Sequence, residues 1–130
     1  YLNKLSLYDV ANGTLTPLPS GDDFDDSDPT WSPDGEWIAF MRGEWTIDRA
    51  SNGDQLWISR VDGSDARALT NDTETTHGPA AWSPDGRYLL FRSYSVANVD
   101  APSQIYILDL ETGEESVVAE SGDSPSWFIP

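Results

Sequence analysis

The side chains best suited to chemistry are five carboxylates in one short acidic segment, residues 21–28. Hard oxygen donors that lie this close together suit Ca²⁺, which accepts about six to eight such ligands. The spacing is unlike that of an EF-hand loop, because the segment lacks a glycine at the sixth position and a terminal glutamate. Two interpretations stay open, a calcium site and a charged run that faces solvent. The calcium hypothesis uses Asp23, Asp25, Asp26 and Asp28, and Asp22 completes the segment.

His77 is the only histidine of the chain, and it follows Thr75 and Thr76. An imidazole can transfer protons or bind a metal near neutral pH, but it needs partners from elsewhere in the fold. The alternative is a loop or channel-lining histidine that makes structural hydrogen bonds. The sequence contains no cysteine and no Gly-x-Ser-x-Gly segment, so it offers neither a thiol nucleophile nor a serine-hydrolase elbow. We therefore favour a non-enzymatic chain.

The scaffold that must position these residues is a repeat. The segment Trp-Ser-Pro-Asp-Gly at 31–35 returns at 82–86, and a frayed third copy surrounds Trp127. Serine, proline, aspartate and glycine in this order predict a type I turn whose glycine takes the left-handed conformation. The tryptophan before each turn is predicted to fill the core between adjacent sheets. The structural motif therefore comprises Trp31, Pro33, Asp34, Gly35, Trp82, Pro84, Asp85, Gly86 and Trp127.

Strand patterns follow each turn. Apolar runs of strand length occur at 37–40 and 88–91. A second strand pattern occurs at 5–10, 56–61 and 105–110, and each copy precedes a glycine-bearing turn and a last short strand. Each unit is thus predicted to form four antiparallel strands. The fold class that follows is an all-β propeller built of four-stranded blades.

Counting strands divides the chain into about two complete blades and two partial ones. Residues 1–27 supply the last two strands of a blade and the acidic loop. Residues 28–78 and 79–124 each supply a complete blade with the loop that follows it, and 125–130 supply the first strand of another blade. Propellers close with about four or more blades. We therefore expect a longer polypeptide or a second copy of the chain to complete the ring, which would be of the six-bladed type.

The repeat resembles that of the TolB-like propeller family, a WD40-like (PD40-type) repeat. The resemblance rests on residues 29–40, 56–63, 80–91 and 105–113, so it covers most of the chain. Ala80 replaces the proline of the family pattern, and the third turn reads Phe-Ile-Pro instead of Ser-Pro-Asp-Gly. The family includes the TolB periplasmic protein and propellers attached to peptidases. The resemblance therefore implies a periplasmic or secreted location.

The long variable loops of such blades share one face. They connect second to third strands and one blade to the next, which places them at 19–28, 43–54, 71–78, 93–104 and 120–124. This face is acidic, and Arg49 is nearly its only basic residue. Loops on a rigid scaffold usually carry binding sites. The binding candidates on this loop face are Asp22, Asp23, Asp25, Asp26, Asp28, Trp45, Arg49, His77 and Tyr94.

The overall charge restricts the classes of molecule that the chain is expected to bind. Seven Lys plus Arg against 23 Asp plus Glu give a formal charge of −16, which repels nucleic acid and anionic lipid. No apolar run is long enough to span a membrane. We expect the partner to be a protein or peptide, another copy of the chain, or the rest of a longer chain. The sequence predicts no cofactor apart from the hypothetical calcium ion.

Three functions are consistent with these features. The first is a non-enzymatic scaffold that binds protein or peptide through its acidic loops, in keeping with the TolB-like resemblance. The second is the gating propeller of a prolyl-oligopeptidase-type serine peptidase, whose hydrolase segment would carry Gly-x-Ser-x-Gly. The third is a carbohydrate-binding or polysaccharide-active propeller, in which Phe24, Trp45 and Tyr94 would contact sugar.

Overall fold

The regular structure of the chain consists of short strands. The computed structural model describes residues 1–45 and 52–128, and it contains ten strands within those ranges. No helix of these ranges has the length and apolar character needed to cross a membrane. The strands are β1 (Ser6–Asp9), β2 (Thr14–Pro17), β3 (Phe24–Trp31), β4 (Trp37–Glu44), β5 (Gln55–Arg60), β6 (Arg67–Ala68), β7 (Thr75–Trp82), β8 (Tyr88–Ser95), β9 (Gln104–Asp109) and β10 (Glu115–Ala119).

The strands form three antiparallel sheets in chain order. Strands β1 and β2 pair with each other, and we call this partial sheet blade 1. Strands β3 to β6 form blade 2, and β7 to β10 form blade 3, each with its strands side by side in sequence order. Two complete four-stranded blades beside a partial one confirm the predicted propeller class.

The core lies between blade 2 and blade 3. Ala39 and Leu56 of blade 2 form one buried cluster with Leu89, Phe91 and Leu108 of blade 3. Side chains alternate between the two faces of a strand, so the apolar runs that predicted β4 and β8 supply both faces of their sheets. Neither blade could bury this surface alone, and the repeat is therefore stabilised by stacking.

The turn between the first two strands of each complete blade has the predicted conformation. Gly35 has a φ of 73°, and its N–H donates to the Ser32 carbonyl at 2.9 Å. The Ser32 hydroxyl accepts from the N–H of Trp37 at 2.9 Å and donates to Asp34 at 2.5 Å. This last bond, more than any other contact, holds the pKa of the Asp34 carboxyl below its ordinary value. The second copy, residues 83–88, repeats each of these bonds.

Two of the motif tryptophans bond to the inner strand of the preceding blade. The indole Nε1 of Trp82 donates to the carbonyl of Thr30 at 3.1 Å, and Trp127 donates in the same way to Ala81 at 2.9 Å. Trp82 packs against the core cluster. Trp31 departs from its predicted core position, because its residue is 51% exposed. Blade 1 contains only its two outer strands, so no inner strand stands beside Trp31 to cover its ring.

The predicted first strand of a further blade is not formed in residues 125–128, the described part of 125–130. A strand requires a partner strand that accepts and donates the ladder hydrogen bonds. In the described part of the chain, no strand pairs with residues 125–128. Trp127 nevertheless keeps its bond to blade 3. Residues 1–45 and 52–128 therefore contain ten strands, and none of these corresponds to the strand predicted within 125–130.

Trp82→Ala should lower the free energy of unfolding by about 2 to 4 kcal/mol, because the substitution removes a packed ring and its hydrogen bond. Trp31→Ala is the matched control, since it removes the same side chain at the equivalent exposed position. It should cost less than about 1 kcal/mol. Urea denaturation of both variants measures the difference. Equal losses would contradict the inter-blade role of Trp82.

Candidate functional site

A polar pocket opens on the loop face of blade 3. We call it the blade 3 pocket; it has a cavity of about 300 Å³, and its lining includes Asp72, His77, Ser93, Tyr94, Gln104 and Tyr106. The chain enters β7 and leaves β8 at this end of the sheet, and it enters β9 there as well. His77 stands opposite Ser93, which stands opposite Gln104. Antiparallel register therefore places the three side chains in one row across the sheet.

His77 is a buried polar group of this pocket. It is 7% exposed, and its Nδ1 has no hydrogen-bond partner among the residues that the structure describes. Its ring lies 5.9 Å from the ring of Phe91, which stacks on Tyr106 at 5.7 Å. Burial lowers the pKa of the imidazole, while the Asp72 carboxylate and the Thr75 carbonyl oppose that shift. The imidazole is therefore favoured in its neutral form, which carries one acceptor nitrogen.

The walls of the pocket are fixed by backbone hydrogen bonds. The N–H of His77 donates to the Asp54 carbonyl at 2.9 Å. The Gln55 amide donates to the carbonyls of Asp72 and Thr75 at 2.9 and 3.2 Å. The Asp72 carboxylate accepts from the Thr75 hydroxyl at 2.8 Å, and this bond is the largest cause of its lowered pKa. Asp72 is therefore an ordered, ionised group at the rim of the pocket.

The acidic segment differs from its predicted form. Asp25, Asp26 and Asp28 lie inside β3 and not in a loop. Asp26 is 3% exposed, and it accepts two bonds from Arg42, at 2.6 Å from Nε and 2.8 Å from the terminal nitrogen. Asp25 accepts from the backbone of Asn3 at 2.7 Å. The charged run therefore begins exposed at Asp22 and Asp23 and ends in a sheet.

These positions do not fit the proposed calcium site. Consecutive side chains of a strand point to opposite faces, so Asp25 and Asp26 cannot converge on one ion. Asp28 lies at the register shift of β3, with a φ of 49°. No group of three or more His, Cys, Asp or Glu residues within 1–45 and 52–128 is arranged to hold a metal. The geometry of the described residues therefore gives no support to the calcium hypothesis for Asp23, Asp25, Asp26 and Asp28, which stays a prediction from the sequence.

The sequence did not lead us to single out Arg42, whose guanidinium pairs with Asp26 inside blade 2. Its guanidinium lies 4.8 Å from the ring centroid of Phe24, 5.1 Å from that of Phe40 and 4.7 Å from that of Trp57. Aromatic faces at these distances stabilise a cation. The signal was available, because Arg42 follows Phe40 by two positions and therefore shares its face of the strand. A charged residue at such a position predicts a buried partner.

The remaining binding candidates are dispersed. Trp45 is largely exposed, and its backbone N–H donates to the backbone carbonyl of Asp23 at 2.5 Å. Tyr94 lines the blade 3 pocket, and the Arg92 guanidinium lies 4.5 Å from its ring. Phe24 lines a smaller cavity of about 110 Å³ in blade 2, so Phe24 and Tyr94 do not form one sugar-binding surface. Arg49 lies outside the described residues.

Asp26→Ala should destabilise the chain by about 3 to 5 kcal/mol, because it leaves the buried Arg42 without its counter-charge. The double variant Asp26→Leu/Arg42→Met should stay within about 1 to 2 kcal/mol of the native chain, since an apolar pair replaces the ion pair. Chemical denaturation of the single and double variants tests this. A double variant as unstable as Asp26→Ala would contradict the ion-pair account.

Stability should also depend on the protonation of His77. The folded pKa of this imidazole is lowered, so its stabilising contribution is present above the unfolded value of 6.5 and is lost as the pH falls below it. His77→Asn removes this component. The difference in unfolding free energy between the native chain and the variant should therefore change as the pH falls from 7 through about 6.5 and below. A difference independent of pH would contradict the lowered pKa of the imidazole.

Comparison with known proteins places these blades in a family. Residues 1–100 match the model of the dipeptidyl peptidase IV (DPP IV) N-terminal region. The uncharacterized peptidase YuxL of Bacillus subtilis is 34% identical over 90 residues, which are 69% of this chain and 13% of that protein. The chain thus spans a small part of this relative.

Solved structures show the same fold. A TolB-like protein from Agrobacterium tumefaciens superposes with a TM-score of 0.70 at 27% identity, over 88% of this chain and 40% of that one. The acylaminoacyl peptidase of Pyrococcus horikoshii superposes with a TM-score of 0.56 at 23% identity, over 78% and 15%. The TolB-like resemblance is confirmed. The chain is a β-propeller segment that belongs to the family of dipeptidyl peptidase IV N-terminal regions.

Proposed function

We propose that the chain is a non-catalytic part of the propeller of a serine peptidase and that it binds peptide on its loop face. The observation that carries the proposal is the family match over residues 1–100, in a chain whose β7 to β9 build a polar pocket on that face. The identity with a Bacillus subtilis peptidase supports the same function. The proposed function combines two of the functions that the sequence suggested, a peptide-binding scaffold and the propeller of a peptidase.

The physical features of the loop face suit this role. The blades hold the loops in place through the inter-blade core and the hydrogen bonds of Gln55, so little ordering is needed on binding. The formal charge of −16 favours cationic or neutral peptides over acidic ones. Hydrolysis itself is assigned to another segment of a longer polypeptide, because this sequence has no nucleophile elbow. A periplasmic or secreted location is part of the proposal.

The test is active-site labelling of the full-length gene product with a fluorophosphonate probe, which reacts with activated serines. The reading frame should contain a Gly-x-Ser-x-Gly segment, and the product should label and cleave peptides. Replacement of the serine in that segment by alanine is the control, and it should abolish labelling while leaving the propeller folded. A reading frame without such a segment, whose product neither labels nor cleaves peptides, would leave a binding scaffold and overturn the peptidase assignment.

A further inference from the structure

Two equivalent positions of successive blades are filled differently. In blade 2, Asp26 stands opposite Arg42, which stands opposite Gln55. In blade 3 the same row reads His77, Ser93 and Gln104. The aromatic pair beneath each row is equivalent as well, since Phe40 faces Trp57 in one blade and Phe91 faces Tyr106 in the other. The two rows are therefore copies of one site in which the polar groups have changed.

Blade 2 fills its copy with its own cation. The Arg42 guanidinium is held by both oxygens of Asp26 and lies against three aromatic rings. Only a cavity of about 110 Å³ remains beside it. Blade 3 has the shorter Ser93 at the position of Arg42, and its cavity is about 300 Å³. The substitution of arginine by serine thus opens space where blade 2 places a guanidinium.

Blade 3 offers other groups that could receive a guanidinium, although His77 replaces the Asp26 carboxylate and Thr75 replaces Phe24. The Nδ1 of His77, buried and without a partner among the described residues, can accept a hydrogen bond. The ring of Tyr106 occupies the position of Trp57, and the carboxylates of Asp72 and Glu115 line the cavity. The described lining contains no lysine or arginine. These groups attract a cation and repel an anion.

We infer that the blade 3 pocket binds the guanidinium of an arginine side chain supplied by a peptide or protein partner. The bound side chain takes the place that Arg42 takes in blade 2, with His77 and Asp72 as acceptors and Tyr106 as the aromatic face. The inference depends on the pocket alone. It holds whether or not the longer polypeptide is a peptidase.

The probe is N-acetyl-arginine methylamide, titrated into the full-length protein and followed by ligand-observed NMR. Its neutral analogue is N-acetyl-citrulline methylamide, which has nearly the same shape without the charge. The arginine compound should bind at least about tenfold more tightly than the citrulline compound, because charge-assisted hydrogen bonds and the cation–π contact are lost with the charge. Equal affinity of the two compounds would overturn the inference.

The most informative variant introduces the aspartate and arginine of blade 2 at the equivalent positions of blade 3. His77→Asp/Ser93→Arg installs the ion pair that the fold already accepts at the equivalent position, so the variant should remain folded with a melting temperature near that of the native protein. Its own guanidinium should fill the pocket and weaken binding of the arginine compound by roughly tenfold or more. A folded double variant that retains native affinity would overturn the inference.

Variants that each remove one negative charge distinguish a direct contact in the pocket from attraction by the overall negative charge of the protein. Asp72→Asn removes a pocket carboxylate and should weaken binding several-fold, whereas Glu114→Gln removes an equal charge from the exposed turn between β9 and β10 and should leave it unchanged. Equal effects of the two variants would show a field effect only and overturn the site. Binding that stays undetectable up to about 10 mM probe would overturn it as well.

Discussion

Packing of each blade against the next is the constraint on which the rest of the chain depends. A sheet of four short strands buries a face only when another sheet covers it. Blade 2 and blade 3 share one apolar cluster, and the Trp82 indole bonds to the Thr30 carbonyl across the junction. Where the neighbouring inner strand is missing, the equivalent ring of Trp31 is half exposed. The interface between blades therefore determines the stability of the chain.

The two complete blades show how one repeated frame can be given different chemistry. A buried ion pair such as Asp26–Arg42 replaces solvent around both charges, and its attraction must offset a large desolvation penalty. Blade 3 avoids that penalty with a neutral histidine and a serine, and it leaves a polar cavity in the same place. The strand register is unchanged between the two blades. Function can therefore vary at these positions while the apolar cluster and the turns preserve the fold.

The sequence predicted the fold more completely than the site. The Ser-Pro-Asp-Gly turns and the apolar runs depend on local chemistry, and these features have the predicted form in both complete blades. The environment of Asp26 and of Trp31 depends on which strand lies beside them, and spacing alone does not contain that information. Residues 24–28 looked like a loop because they are acidic, yet Arg42 supplies the counter-charge that allows β3 to begin there. The sequence predicted His77 in the loop before an inner strand, whereas it lies inside β7, and its burial against Phe91 needed the structure.

Blade 3 presents an open copy of the guanidinium site of blade 2. The most direct measurement is a crystal structure of the full-length protein grown with N-acetyl-arginine methylamide. The account predicts the guanidinium within hydrogen-bond distance, about 2.7 to 3.2 Å, of His77 Nδ1 and against the face of Tyr106. A pocket closed by the protein's own side chains, or a probe bound only elsewhere, would contradict it.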